Sequence, residues 1–206
     1  MRTVKKGEVR RNEILDQAER LFVGKGYEQA TVADILAAVG VGKGTFYYYF
    51  QSKEEVLDAI IRRRCDKSVG RAAQVAADPG LRAEEKLLQV MLAQQAADEV
   101  EEGMIDVLHE ASNAQMHQKS LLLVLEKLAP VLRGVVEQGI REGVFATDYP
   151  GESIQFLLAA GMTVFDYGYF QRSEEETARM AQAFLRMMER TLGAAEDSLS
   201  SLARIF

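Results

Sequence analysis

Between residues 8 and 192, apolar residues recur at three- and four-residue intervals in run after run, and no stretch alternates apolar with polar for long enough to make a credible strand. That period belongs to one face of an α-helix. The chain is therefore expected to be all-α. Glycine, proline and capping residues divide it into helices at about 8–24, 31–39, 42–50, 52–77, 82–98, 103–112, 116–142, 151–169 and 174–192. Pro130 should kink the helix that contains it, because proline removes a backbone hydrogen bond there. The tail after Gly193 has weak periodicity and is expected to be frayed or a short extra helix.

The stretch "VGVGKGTFYYYF", 39–50, carries the most chemical information. Glycines around a lysine suggest a nucleotide phosphate loop, but that loop needs Ser or Thr directly after the Lys and a glycine five residues before the second Gly. Here Gly44 follows Lys43 and Ala37 fills the upstream position. A dinucleotide fingerprint starting at Gly40 would need its third glycine at Thr45, after a strand that is not present. What remains is two short helices joined at Gly40, a helix-turn-helix pattern, with the phosphates of a duplex as its target. Thr31 with Asp34, and Ser52 with Glu55, have the spacing of capping boxes on the flanking helices.

Charge is unevenly divided. Residues 1–67 hold 13 Lys and Arg against 10 Asp and Glu, whereas residues 68–206 hold 12 against 21, within a net charge of −6. An acidic second part repels a polyanion, so nucleic-acid contact should be confined to the first. One cysteine, Cys65, excludes an internal disulfide and any multi-cysteine zinc site. Its flank "RRRC" invites a redox reading, but a lone helical cysteine more often serves as a small hydrophobe. No apolar run approaches the roughly 20 residues of a membrane span, and no apolar h-region follows the basic N-terminus. A cytoplasmic protein without membrane contact is expected.

The segment 11–57, containing "ILDQAERLFVGKGYEQATVADILAAVGVGKGTFYYYFQSKEEVL", resembles the N-terminal domain of the TetR family of bacterial transcriptional regulators. The likeness rests on "LF" followed by "KGY", the Thr opening the second helix, the glycine turn with "KGT" and aromatics, "YF" closing the recognition helix, and "SKEEVL" opening the fourth. Position 42, often Ser or Thr in that family, is Gly here. Beyond residue 77 the likeness is one of layout. It implies a three-helix helix-turn-helix domain over 8–67, with its recognition motif at about 31–50, followed by a helical ligand-binding and dimerisation domain over 68–206.

Residue chemistry fits that expectation. Gly42 and Gly44 thin the leading end of the recognition helix so that its backbone can approach DNA. Lys43 can then reach guanine O6/N7 or a phosphate, and Thr45 offers a hydroxyl to a phosphate and a methyl to thymine. At about 100° per residue, Phe46, Tyr49 and Phe50 share the inner face, leaving Tyr47 and Tyr48 outward for phosphate or base contacts. Thr31 and Lys53 stand at helix starts, where N–H groups and the dipole favour a phosphate. Lys5, Lys6, Arg10 and Arg11 form either a basic arm along the DNA or a solvated terminus.

One recognition helix reads few base pairs, so a homodimer on a palindromic double-stranded operator is expected. Apolar stripes at Ile154, Leu157, Leu158, Met162 and Phe165, and at Met180, Phe184, Met187 and Leu192, could pair across a two-fold axis. Seven of the eight methionines lie beyond residue 90, which suits an irregular cavity. Met104, His109, Phe165 and Tyr169 are the candidate lining for a small, mostly apolar effector. His109 and His117, eight apart, are too distant for a same-turn metal pair, so no metal or cofactor is expected. With no nucleophile elbow or paired metal motif, an enzyme is not expected either. The expectation is a ligand-responsive repressor; the alternative is a helical interaction or scaffold protein without specific DNA binding.

Overall fold

The computed structural model describes residues 2–95, 99–166 and 170–206. Nine α-helices occur among them and no strand. The chain divides into two compact units, Met1–Cys65 with Ala97–Ser120, and Asp66–Ala96 with Leu121–Phe206.

The first unit contains α1 (Arg2–Lys25), α2 (Val32–Val39), α3 (Lys43–Tyr49), the start of α4 (Lys53–Ala76), α6 (Glu99–His109) and the start of α7 (Ala114–Glu142). Helix α1 begins before residue 8, so Arg10 and Arg11 lie within a helix and not on an arm; the side chains of Lys5 and Lys6 lie outside the described ones. Its inner face buries Ile14, Leu15, Ala18 and Phe22 completely, and Ile35 of α2 and Phe46 of α3 are buried as fully. Arg63 and Arg64 of α4 converge on Glu19, which is itself 9% exposed, while Arg63 also reaches Asp16 at 2.6 Å. This ion-pair cluster ties α1 to α4.

The first unit therefore extends beyond a contiguous 8–67 domain, because α6 packs on α1. Gly103 allows that approach: a Cβ there would stand 2.5 Å from Val23 Cγ1. After α6 the chain passes through a 3₁₀ turn (Ala111–Asn113), held by Asn113 Nδ2 donating to the Val107 carbonyl at 2.7 Å. Here residue spacing misled. The turn folds the chain back, so His109 and His117 lie face to edge with ring centres 4.6 Å apart, although no single helix could pair them.

The second unit is a helical layer of α5 (Ala83–Gln95), α8 (Pro150–Val164), α9 (Glu174–Leu192), the end of α4 and the larger part of α7, closed by a 3₁₀ segment (Ser200–Ile205). Helix α7 runs through Pro130. Leu87, Val90, Leu128, Leu132, Val136 and Ile154 make the centre of its core. Lys86, 4% exposed, is accommodated because Nζ donates to the Ala76 carbonyl at 2.7 Å and to Gln138 Oε1 at 2.8 Å. A capping box that sequence reading passed over starts α9: Ser173 Oγ accepts from Glu176 N at 3.3 Å and the Glu176 carboxylate accepts from Ser173 N at 3.0 Å. Cys65, 5% exposed, is buried as a small hydrophobe.

Candidate nucleic-acid interface and effector cavity

Helix α2 ends where Gly40 adopts φ 71° and its N–H closes on the Leu36 carbonyl at 2.9 Å, a left-handed cap that favours glycine. Gly42 then caps α3 without a side-chain hydrogen bond. A Cβ added at Gly42 or at Gly44 meets nothing within 4 Å, and neither residue has a positive φ. Nothing inside the protein needs these two positions to be glycine. Lys43 and Thr45 beside them are exposed.

The division of α3 into faces is as its period predicts. Phe46 and Phe50 are fully buried, with ring centres 6.1 Å apart, while Tyr47 is 47% and Tyr48 79% exposed. Tyr49 is half-buried and stands edge-on to Tyr48 at 4.8 Å. Phe50 also carries the Arg11 guanidinium over its ring at 5.1 Å, a cation–π contact that the arm-or-solvent reading of Arg11 had missed.

The two helix-start residues have internal duties. Thr31 caps α2 in a full capping box: its Oγ accepts from Asp34 N at 3.1 Å and donates to Asp34 Oδ2 at 2.8 Å, and its own N–H donates to the same oxygen at 2.8 Å. Lys25 Nζ adds a 2.7 Å ion pair. The Lys25 bond, then the two from Thr31, hold the Asp34 carboxyl down at about 2. Lys53 turns inward, donating to the Tyr27 carbonyl at 2.7 Å and the Glu28 carbonyl at 3.4 Å, with Nζ 4.2 Å from the centre of the Tyr27 ring. That leaves one ammonium proton for a phosphate. Burial, followed by the charges of Glu54 and Glu28, pushes the Tyr27 phenol up to about 12.

Three of the four expected pocket residues lie among the described ones, two in the first unit and one in the second. Phe165 lines a cavity of about 240 Å³ in the second unit, together with Met91, Leu132, Leu158, Met162 and Phe184 among others. Met104 is fully buried in α6 and His109 ends that helix, both in the first unit, where α6 packs on α1. Tyr169 lies outside the described residues. The expected dimer stripe divides as well. Ile154, Leu157, Leu158 and Leu192 are core residues of the second unit, and Met162, Phe165 and Phe184 face the cavity or its margin. Phe156, Met180 and Met187 are the large apolar residues that α8 and α9 leave exposed.

Residues 14–60 match the profile of bacterial regulatory proteins of the tetR family, and residues 97–187 match the tetracyclin repressor-like C-terminal domain. The HTH-type transcriptional repressor KstR2 of Rhodococcus jostii (strain RHA1) is 30% identical over 154 residues, 72% of this chain and 74% of that protein. The chain belongs to the TetR family. The fatty acid metabolism regulator protein of Bacillus subtilis (strain 168) is 27% identical over 134 residues, 64% of this chain and 68% of that protein. The crystal structure of RolR with its ligand resorcinol shares the fold, with a TM-score of 0.62 at 18% identity over 98% of this chain and 95% of that one.

As a TetR-family protein this is a helix-turn-helix, DNA-binding transcription regulator and not an enzyme. Among the described residues no helix is long and apolar enough to cross a membrane. Sequence reading named Phe165 for the pocket but placed Ile154, Leu157, Leu158, Met162 and Phe184 in a dimer stripe, because such residues fill cores and line cavities with the same spacing. One signal was readable: Leu199, Leu202, Ile205 and Phe206 of the tail recur at near-helical intervals, and Leu202, Ile205 and Phe206 line the cavity.

Proposed function

We propose that this protein is a repressor that grips a near-palindromic operator as a homodimer and lets go when a mostly apolar small molecule enters the cavity of its second unit. The observation that carries the DNA half is the pair of exposed glycines that leads α3 with no internal requirement for them. Close approach of a phosphate backbone or a base edge is the requirement that remains. Lys43, Thr45, Tyr47 and Tyr48 are the side chains proposed to touch DNA. Gly42 and Gly44 give the backbone access, and Thr31 and Lys53 set the flanking helix starts.

The apolar lining of the cavity supports the effector half. RolR, of the same fold, was crystallised with resorcinol, and the Bacillus subtilis relative is named for fatty acid metabolism; both are compatible with an apolar effector here. Helix α4 carries residues of both units and is the element proposed to pass the change to the DNA-binding helices. A scaffold protein has no use for glycine-thinned, outward-tyrosine geometry on α3. Fluorescence anisotropy with the native upstream fragment and a scrambled duplex tests the proposal. The expected result is a preference of at least about a thousandfold, with the affinity for either duplex falling steeply as salt rises. Equal affinity for the two duplexes would refute it.

A further inference from the structure

The chain has two histidines, and the first unit brings them together. Their spacing of eight argues against a shared metal only if one helix carries both, and here two helices do. His109 ends α6 and His117 stands in the first turn of α7, so the 3₁₀ turn between them decides how far apart they lie.

That turn is well tied. Asn113, 4% exposed, donates from Nδ2 to the Val107 carbonyl at 2.7 Å and from its backbone N–H to the Glu110 carbonyl at 2.8 Å. Beyond it, Ser120 Oγ donates to the His117 carbonyl at 2.7 Å, and Lys119 forms an ion pair with Asp58 of α4. Both imidazoles thus project from backbone that is already fixed, which spares a ligand the cost of ordering its own site.

Their separation suits one ion. The ring centres lie 4.6 Å apart with the planes at 68°, and one ring nitrogen of each lies within 4.8 Å of the other. Two imidazoles on a tetrahedral ion, with metal–nitrogen bonds of about 2.0–2.1 Å, have ring centres roughly 5 Å apart and nitrogens roughly 3.3 Å apart. The ring centres already meet that requirement. His117 is buried and His109 only half-buried, so a modest turn of the His109 ring brings the nitrogens into range. Imidazole also selects the cation: it suits zinc, copper, nickel and cobalt, whereas magnesium and calcium prefer oxygen.

We propose that His109 and His117 are two ligands of a site for a divalent transition metal, zinc above all, in the unit that carries α3. Two imidazoles leave two positions of a tetrahedron for water or for the donor atoms of a small molecule. The site shares no residue with the apolar chamber of the second unit, so it is a separate input to the protein. An ion there ties the end of α6 to the start of α7, and α6 packs on α1, the helix that supports α2.

The untagged full chain, freed of metal with a chelator and titrated with Zn²⁺ or Co²⁺, tests this. Calorimetry at micromolar protein should give one Zn²⁺ per chain, and Co²⁺ should develop the intense visible absorption of a tetrahedral site. Because the chain has only two histidines, Zn²⁺ should shift both sets of imidazole NMR signals along one saturation curve. His109→Gln should weaken Zn²⁺ binding at least about tenfold while leaving the metal-free melting temperature near that of the parent. Zn²⁺ should raise the melting temperature of the parent and not of this variant. His117→Gln, at the more buried position, should lose binding to the same degree; if it also lowers metal-free stability, His109→Gln and the NMR titration decide. Absence of Zn²⁺ binding, binding that His109→Gln leaves at full strength, or a response from one imidazole alone overturns the site. Displacement of Co²⁺ by an equal amount of Mg²⁺ overturns its assignment to a transition metal.

Discussion

Gly44 weakens α3 by up to about 1 kcal/mol relative to alanine, and no contact within the first unit requires the missing side chain. Gly44→Ala should therefore leave the melting temperature unchanged or slightly higher while operator affinity falls about tenfold. Calorimetric melting and anisotropy titration on the same preparation check this, and parallel losses in both would mean that the glycine serves the fold. Tyr48, 79% exposed, gives a complementary case: Tyr48→Phe removes one hydroxyl and should cost about 1 kcal/mol in DNA binding with no loss of stability. These outward positions were legible in the sequence because a seven-residue helix with Phe46 and Phe50 on one face leaves few orientations for three tyrosines. Lys53 was not. Its inward turn depends on the carbonyls of Tyr27 and Glu28, more than twenty residues earlier in the chain, and no local pattern encodes that meeting.

Helix α2 has eight residues, too few to be stable alone, so its N-terminal box carries unusual weight. Thr31→Ala should lower the stability of the protein by about 1 kcal/mol. It should also raise the Asp34 carboxyl from about 2 toward its ordinary value, although the larger contribution, from Lys25, remains. Because the folded-state value is depressed, this carboxylate stabilises the protein fully above about pH 4 and loses that effect as pH falls through about 2. The difference in thermal midpoint between the parent and Asp34→Asn should therefore narrow as pH is lowered across that window. Helix order was readable from period and punctuation, and so was this box. The place of α6 was not, because its packing on α1 turns on one glycine, Gly103, facing Val23 across some eighty residues of sequence. Gly103→Ala forces that contact apart and should destabilise the first unit by about 1–3 kcal/mol.

At the scale of the molecule, a first segment with a small positive excess and a remainder carrying a large negative one leave little general attraction for DNA. In the proposed homodimer, affinity comes from two recognition helices engaged at once, at half-sites roughly 34–36 Å apart, and so from the surface that joins two copies. Folding uses most of the apolar stripe on α8 for the second unit's own core, so the proposed association would fall on a few outer residues. Phe156, 73% exposed at the middle of α8, is the largest of them, with Met180 and Met187 exposed on α9. Phe156→Asp places a charge where an apolar ring would be buried, twice per two-fold interface. Sedimentation equilibrium should show the parent as a dimer at micromolar concentration and the variant as a monomer. Far-ultraviolet circular dichroism should be unchanged, because the side chain makes no core contact to lose. Operator affinity of the variant should fall at least about a hundredfold, while its weak binding to a scrambled duplex, which needs no matched pair of half-sites, should change much less. A variant that stays dimeric would move the two-fold axis off this face of α8, and one that turns monomeric yet keeps full operator affinity would remove the reason for a palindromic site.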